Sequence, residues 1–244
     1  MLEVDRVRKA FGGILANKDV SLQVPAGGIF GLIGPNGSGK TTLFNSIVGH
    51  HPIDAGSVRF LGREISRLQV PQIARLGLLR TFQQTRIYAG MTCVQNMAIS
   101  APTSGLGWRS MFQRTPQADL LKADELLEFV GLFPKRHLRA GDLSFGQQKL
   151  LELAMALMSG PRMLLLDEPT AGINPTLING LLERLHKVNR QFGITLLVIE
   201  HNMRVIMELA EYVYCLAHGE LLAEGPPAQI RQDPRVLDAY LGAQ

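Results

Sequence analysis

Residues 34 to 42, Gly-Pro-Asn-Gly-Ser-Gly-Lys-Thr-Thr, combine the residue types and spacing of a phosphate cradle. They fit G-x-x-x-x-G-K-[ST] from Gly34 through Gly39, Lys40 and Thr41. Glycines let successive backbone N–H groups turn toward one point, and a helix N-terminus adds partial positive charge there. Asn36, Gly37, Ser38 and Thr42 belong to the same cradle. Lys40 can reach the β- and γ-phosphates of a nucleotide, and the Thr41 hydroxyl can ligate Mg²⁺. The alternative is a chance glycine turn before a helix. The flanks argue against it. Residues 28–33 read as a short buried strand, and 42–48 have helical spacing, with Gly49 as a stop and Pro52 beyond.

A second chemical cluster follows the apolar run Met163–Leu166, which ends in Asp167, Glu168 and Pro169. Parallel sheets place ligands beyond the carboxyl ends of their strands. Asp167 can hold Mg²⁺ through water, and Glu168 can orient or deprotonate an attacking water. Without a phosphate loop, two solvated acids at a strand end would be an equally good reading. The stretch Leu143-Ser-Phe-Gly-Gln147 opens a long helix. Ser144 and Gln147 have capping-box spacing. The same N-terminus, with Ser144 and Gly146, could receive an anion. Both can hold, but a Gln147 that caps is less free to touch phosphate.

These groups need a frame. Residues 2–8 and 19–24 alternate like half-buried strands, 57–66 suggest a hairpin turning at Leu61-Gly62, and 78–83 suggest a strand ending at Gln83. Between 84 and 142 the pattern is helical, near 92–100 and 117–130, with a connector from Ala101 to Pro116 that carries Trp108. A helix from 144, the apolar run 163–166, a helix over about 176–191 and the apolar run 194–199 then alternate. That alternation argues an α/β fold with a mainly parallel sheet. Residues 212–225 suggest a hairpin around His218-Gly219, with short helices after Pro226 and Asp233.

The chain has 244 residues, 46% of them hydrophobic, enough for one large domain or two small ones with a substantial core. The net charge of +4 is scattered, so no nucleic-acid partner is expected. Cys93 and Cys215 are far apart and suit a reducing compartment. The first residues lack a signal-peptide core, and no apolar run approaches the ~18–20 residues that span a bilayer. A membrane path would have to come from other chains.

In order, a phosphate loop, Gln83, Leu-Ser-x-Gly-Gln, an aspartate-glutamate strand and His201 resemble the signature of ABC-type ATPases across nearly the whole chain. The chain is most similar to the ATP-binding subunits of branched-chain amino acid importers. That likeness rests on Phe11-Gly-Gly, Arg80-Thr-Phe-Gln83, Leu143-Ser-Phe-Gly-Gln-Gln-Lys, Ala171-Gly-Ile-Asn-Pro175, Ile199-Glu-His-Asn-Met203 and the tail from Asp233 to Leu241. The long segment between Gln83 and Leu143 resembles the longer of their two ATPase subunit types.

The resemblance implies a P-loop ABC-type nucleotide-binding domain with a mainly parallel core sheet, an antiparallel β subdomain and a helical subdomain. It puts the core at 1–83 and 144–244 and the helical subdomain at about 84–143. It implies ATP and Mg²⁺ as cofactors and a catalytic set of Glu168, His201 and Gln83. Thr41, Gln83 and Asp167 would hold the metal, and Phe11 would stack on adenine unless it faces the core. In a dimer, Ser144 and Gly146 would contact ATP bound by the partner, and Gln147 and Asn174 join the implied nucleotide-binding set. The implied partners are transmembrane permeases, a second ATPase (identical or different) and, indirectly, an external binding protein. The implied location is peripheral, on the cytoplasmic face of the cell membrane. Two departures stand out: Phe145 replaces the usual first glycine of Leu-Ser-Gly-Gly-Gln, and Asn174 replaces an aspartate. Urea, amides and aromatic acids are alternative cargoes. A soluble ABC ATPase of translation or DNA repair, or a lipid or lipopolysaccharide export ATPase, is the alternative function.

Overall fold

The computed structural model describes residues 1–81, 87–102 and 116–241. Gln83 and Trp108 lie outside the described residues. The chain divides into two compact units. One contains residues 1–80, 162–169 and 185 onward; the other contains Thr81–Pro161 and Thr170–Arg184. The helix from residue 145 therefore falls in the unit that also holds 84–143, although the sequence boundary at 143 would group it with the core.

The first unit holds two sheets. Strands β1 (Leu2–Phe11), β2 (Ile14–Val24), β4 (Ala55–Phe60) and β5 (Arg63–Glu64) form an antiparallel sheet ordered β2-β1-β4-β5. β1 alternates buried and exposed positions, as a strand with one wet face must. β2 begins five residues earlier than its alternation suggested. Residues 14–18, Ile-Leu-Ala-Asn-Lys, do not alternate apolar with polar, and pairing with β1 makes them a strand. The Leu61-Gly62 turn is as expected, with both residues at positive φ.

The second sheet has six strands, ordered β10-β9-β3-β8-β7-β6. β3 (Ile29–Ile33), β6 (Leu78–Arg80), β7 (Met163–Asp167), β8 (Thr195–Ile199) and β9 (Tyr212–Ala217) are parallel; β10 (Glu220–Gly225) pairs antiparallel with β9. Every residue of β3, β7 and β8 is buried, which is why these strands are apolar apart from Asp167 and Thr195 at their ends. Val4, Leu22 and Phe60 of the antiparallel sheet join Leu32, Leu165, Leu197 and Leu216 in one core, with Leu43 and Phe44 of helix α1 (Lys40–Ile47). Each such side chain contributes about 1.5–3 kcal/mol on burial. Packing of these side chains therefore supplies most of the energy that keeps the strands together.

Two helices of this unit have little sequence signal. α2 (Val70–Arg75) buries only Ile73 and depends on a box between Gln69 and Gln72. α7 (Met203–Leu209) starts at Asn202, whose side chain accepts the Arg204 N–H. The other unit packs α3 (Cys93–Ile99), α4 (Gln117–Phe129) and α5 (Phe145–Met158) on one another. α6 (Pro175–Phe192) runs from this unit's sequence into the first. α8 (Pro227–Ile230) and α9 (Pro234–Leu241) are the last elements of the described residues.

Candidate functional site

The order β3-β8-β7-β6 places four strand ends side by side, each followed by a residue of interest. β3 leads into the phosphate loop. Gly39 is the N-cap of α1 in the left-handed region, and no side chain caps that helix. A Cβ at Gly39 would lie 2.3 Å from the Ala16 carbonyl oxygen, so only glycine fits. The loop is tied from outside. The Asn17 amide donates to the Gly39 carbonyl at 3.1 Å, and the Gly219 N–H donates to the Ser38 carbonyl at 3.2 Å. α1 ends as the sequence suggested, with the Gly49 and His50 amides donating back to Ser46 and Asn45.

Lys40 is buried. Its Nζ donates to the Gly34 and Pro35 carbonyls at 2.8 and 2.9 Å and to Ser38 Oγ at 3.3 Å. Burial lowers its pKa, while Glu168 and Asp167 oppose that shift. The ammonium thus reaches the loop's own carbonyls where a phosphate would compete for it. Asn36, Gly37 and Thr41 are exposed and Thr42 is half-buried.

Asp167 is buried at the end of β7, and Arg80 of β6 holds it through a 2.6 Å ion pair to Oδ2. The other guanidinium nitrogen donates to Asn45 Oδ1 at 2.5 Å, and the plane lies over Phe44. Arg80 thereby joins β6, β7 and the helix of the phosphate loop. In the sequence it was only part of a family phrase. Asp167 Oδ1 is buried and has no hydrogen-bond partner. A buried carboxylate oxygen left open, in a site that also offers the Thr41 hydroxyl, is the oxygen chemistry Mg²⁺ prefers.

Glu168 follows at φ +50, a left-handed conformation that costs a non-glycine residue about 1–2 kcal/mol. Its N–H donates to the Ile199 carbonyl, and its Oε1 lies 2.5 Å from His201 Nε2. The register Asp167↔Ile199 brings the two residues together. Phe11 is 42% exposed and meets His51 edge to face. It is a surface ring beside the Gly12-Gly13 turn and does not face the core.

Ser144, Gly146, Gln147 and Asn174 lie in the other unit. Ser144 Oγ accepts the Gln147 N–H at 3.4 Å, and Gln147 Oε1 accepts the Ser144 N–H at 3.2 Å. Lys135 Nζ donates to the same Oε1 at 3.1 Å. Gln147 is therefore engaged in capping. Phe145 lies against Gly172, so the aromatic replacement has its own packing site. Asn174 caps α6: Oδ1 accepts the Thr176 N–H at 3.1 Å and its hydroxyl at 3.0 Å. Capping needs an acceptor and no charge, so asparagine serves there. A cavity of about 730 Å³ lined by Glu3, Asp5, Arg59 and Tyr212 contains none of these groups.

Comparison with known proteins agrees with this geometry. Residues 17–171 match the ABC transporter family, and residues 220–244 match a family described as branched-chain amino acid ATP-binding cassette transporter. The high-affinity branched-chain amino acid transport ATP-binding protein BraF of Pseudomonas aeruginosa is 38% identical, covering 99% of this chain and 98% of its own length. The ADP conformation of MJ1267, an ATP-binding cassette of an ABC transporter, superposes with a TM-score of 0.89 at 33% identity, over 99% of this chain and 98% of that one. The bacterial ABC transporter cassette MJ0796, solved as a dimer, gives a TM-score of 0.79 at 25% identity, over 93% and 99%. With the phosphate loop, the Asp167–Glu168 strand end and these likenesses in agreement, the chain belongs to the ABC transporter family as an ATP-binding subunit.

Proposed function

We propose that this chain hydrolyses ATP with Mg²⁺ to drive a branched-chain amino acid importer, working peripherally on the cytoplasmic face of the cell membrane. The observation that carries the reading is the Glu168 carboxylate, held by His201 at the end of β7, one residue after Asp167 and on the sheet edge that carries the phosphate loop. The donors fit the metal: Thr41 and Asp167 would hold it, and the family resemblance adds Gln83. The ion would neutralise charge on the β- and γ-phosphate oxygens.

Lys40 exchanges loop carbonyls for the β- and γ-phosphates, and the uncapped start of α1 receives them with its N–H groups. Water attacks the γ-phosphorus as the bond to the β–γ bridging oxygen breaks. The electron pair leaves with ADP, and the water proton passes to Glu168. His201 keeps that carboxylate aimed. The exposed Phe11 ring offers a face to adenine. Ser144 and Gly146 would address ATP held by a second ATPase, so that the nucleotide joins the two subunits and its hydrolysis releases them.

Among the described residues no helix is long and apolar enough to cross a membrane. In this reading permease subunits form the path, and an external binding protein delivers cargo to them. The names of the relatives favour leucine, isoleucine and valine as cargo, and favour transport over the translation, DNA-repair and lipid-export alternatives. The test is to tag the chain in its own cells, solubilise the membranes gently and identify what co-purifies. Two multi-spanning permeases and a second ATPase support the reading; uptake of labelled leucine must then fall when the chain is deleted. Ribosomal or DNA-repair partners without a permease would overturn it.

A further inference from the structure

The last helix, α9, touches the phosphate loop. The Tyr240 hydroxyl accepts a hydrogen bond from the Gly34 N–H at 2.9 Å, across 206 residues of sequence. One turn of the same helix brings Asp238 and Ala239 to a cleft of about 150 Å³ whose other walls are residues 35–38 and His218. The helix is anchored at its start, where Asp233 Oδ1 accepts the Arg235 N–H at 2.9 Å, and Val236 is buried. Gly34 is hemmed in on its other side. It sits at φ +146, and a Cβ there would fall 2.0 Å from the Leu216 carbonyl oxygen. Burial pushes the Tyr240 phenol up to about 12, so it stays protonated through the physiological range.

We propose that Tyr240 is a positioning residue for nucleotide binding. Its hydroxyl holds the first amide of the phosphate loop, and through it the C-terminal helix sets the loop's affinity for nucleotide. The inference rests on the reading of this loop as an ATP site. A buried amide stripped of its acceptor must tilt to find another. Gly34 begins the turn that aims the following N–H groups, so a tilt there misdirects several donors at once. A Tyr240 that merely filled space would do as well without its hydroxyl.

The test uses the full chain, with ATP and ADP titrated calorimetrically and exchange of the Gly34 amide followed by NMR. Wild-type protein should bind both nucleotides and should protect the Gly34 amide before nucleotide is added. Tyr240→Phe keeps the ring and should weaken both nucleotides about five- to tenfold, ~1–1.4 kcal/mol, with faster exchange at Gly34. Leu237→Ala, on the exposed side of α9, should change neither. Wild-type affinity in Tyr240→Phe would overturn the proposal, as would equal weakening in Leu237→Ala. An unprotected Gly34 amide in the wild-type protein overturns it without any variant. A wild-type chain that binds no nucleotide would remove the ATP reading as well, whereas normal binding with an unaltered Tyr240→Phe removes only this inference.

Discussion

Two helix N-termini in this chain are built oppositely. α1 starts at Gly39 with no side-chain cap, whereas α5 starts at Ser144 with a complete capping box reinforced by Lys135. An uncapped helix start offers N–H groups to a ligand. A capped one has already satisfied some of them. The start of α1 is thus left for a ligand in the proposed function, and outside ties to Asn17, Gly219 and Tyr240 shape the loop before it. Under the proposed function, the Leu-Ser-Phe-Gly-Gln helix start would give up part of its own cap to engage a nucleotide. The first is built to bind in a single subunit. The second is satisfied by its own side chains, and in the proposed function it would answer to a partner's ATP.

The most severe way to probe the open end is at its neighbour. Glu168→Gln should lower ATP turnover of the assembled transporter by about 10²–10⁴-fold while leaving ATP bound and the ATPase pair joined. Turnover at the wild-type rate would remove Glu168 from the reaction. Arg80→Met leaves Asp167 as a buried, unpaired carboxylate. Urea unfolding should show a loss of about 3–5 kcal/mol, with Arg80→Lys falling between. A loss near zero would mean that Arg80 does not hold the strand ends together.

Lys40→Ala should weaken ATP binding to the isolated subunit about 10–100-fold, the worth of a charged hydrogen bond to phosphate. Gln147→Ala should leave that isotherm unchanged, because its side chain serves the other helix. Equal weakening in both variants would erase the contrast between the two N-termini. The smallest effect belongs to Ser144→Ala. It should cost about 1 kcal/mol of stability through the lost cap, measured by denaturant titration, with single-subunit ATP affinity unaltered and turnover of the assembled transporter reduced. Unaltered turnover would leave Ser144 with capping alone.

The placement of the glycine loop before α1 and of Asp167-Glu168 at a strand end was legible because local spacing encodes it. A glycine loop, a lysine and a helix start are neighbours in the chain before they are neighbours in space. The same holds for the Ser144–Gln147 box and for β3, β7 and β8, where burial on both faces favours short apolar runs. The start of β2 and helices α2 and α7 were not legible. Pairing with β1 makes residues 14–18 a strand, and the two helices are too short for a periodic signal.

By itself the sequence determined the family, the glycine loop between β3 and α1, the strand-ending acids and the alternation that makes an α/β fold, because each is written in residues a few positions apart. Only the tertiary structure decided which side chains hold those groups. Arg80 meets Asp167 across 87 residues, Glu168 meets His201 across 33, and Tyr240 meets Gly34 across 206. Strand order and register bring these pairs together through the packing of the whole core, and no local pattern specifies them.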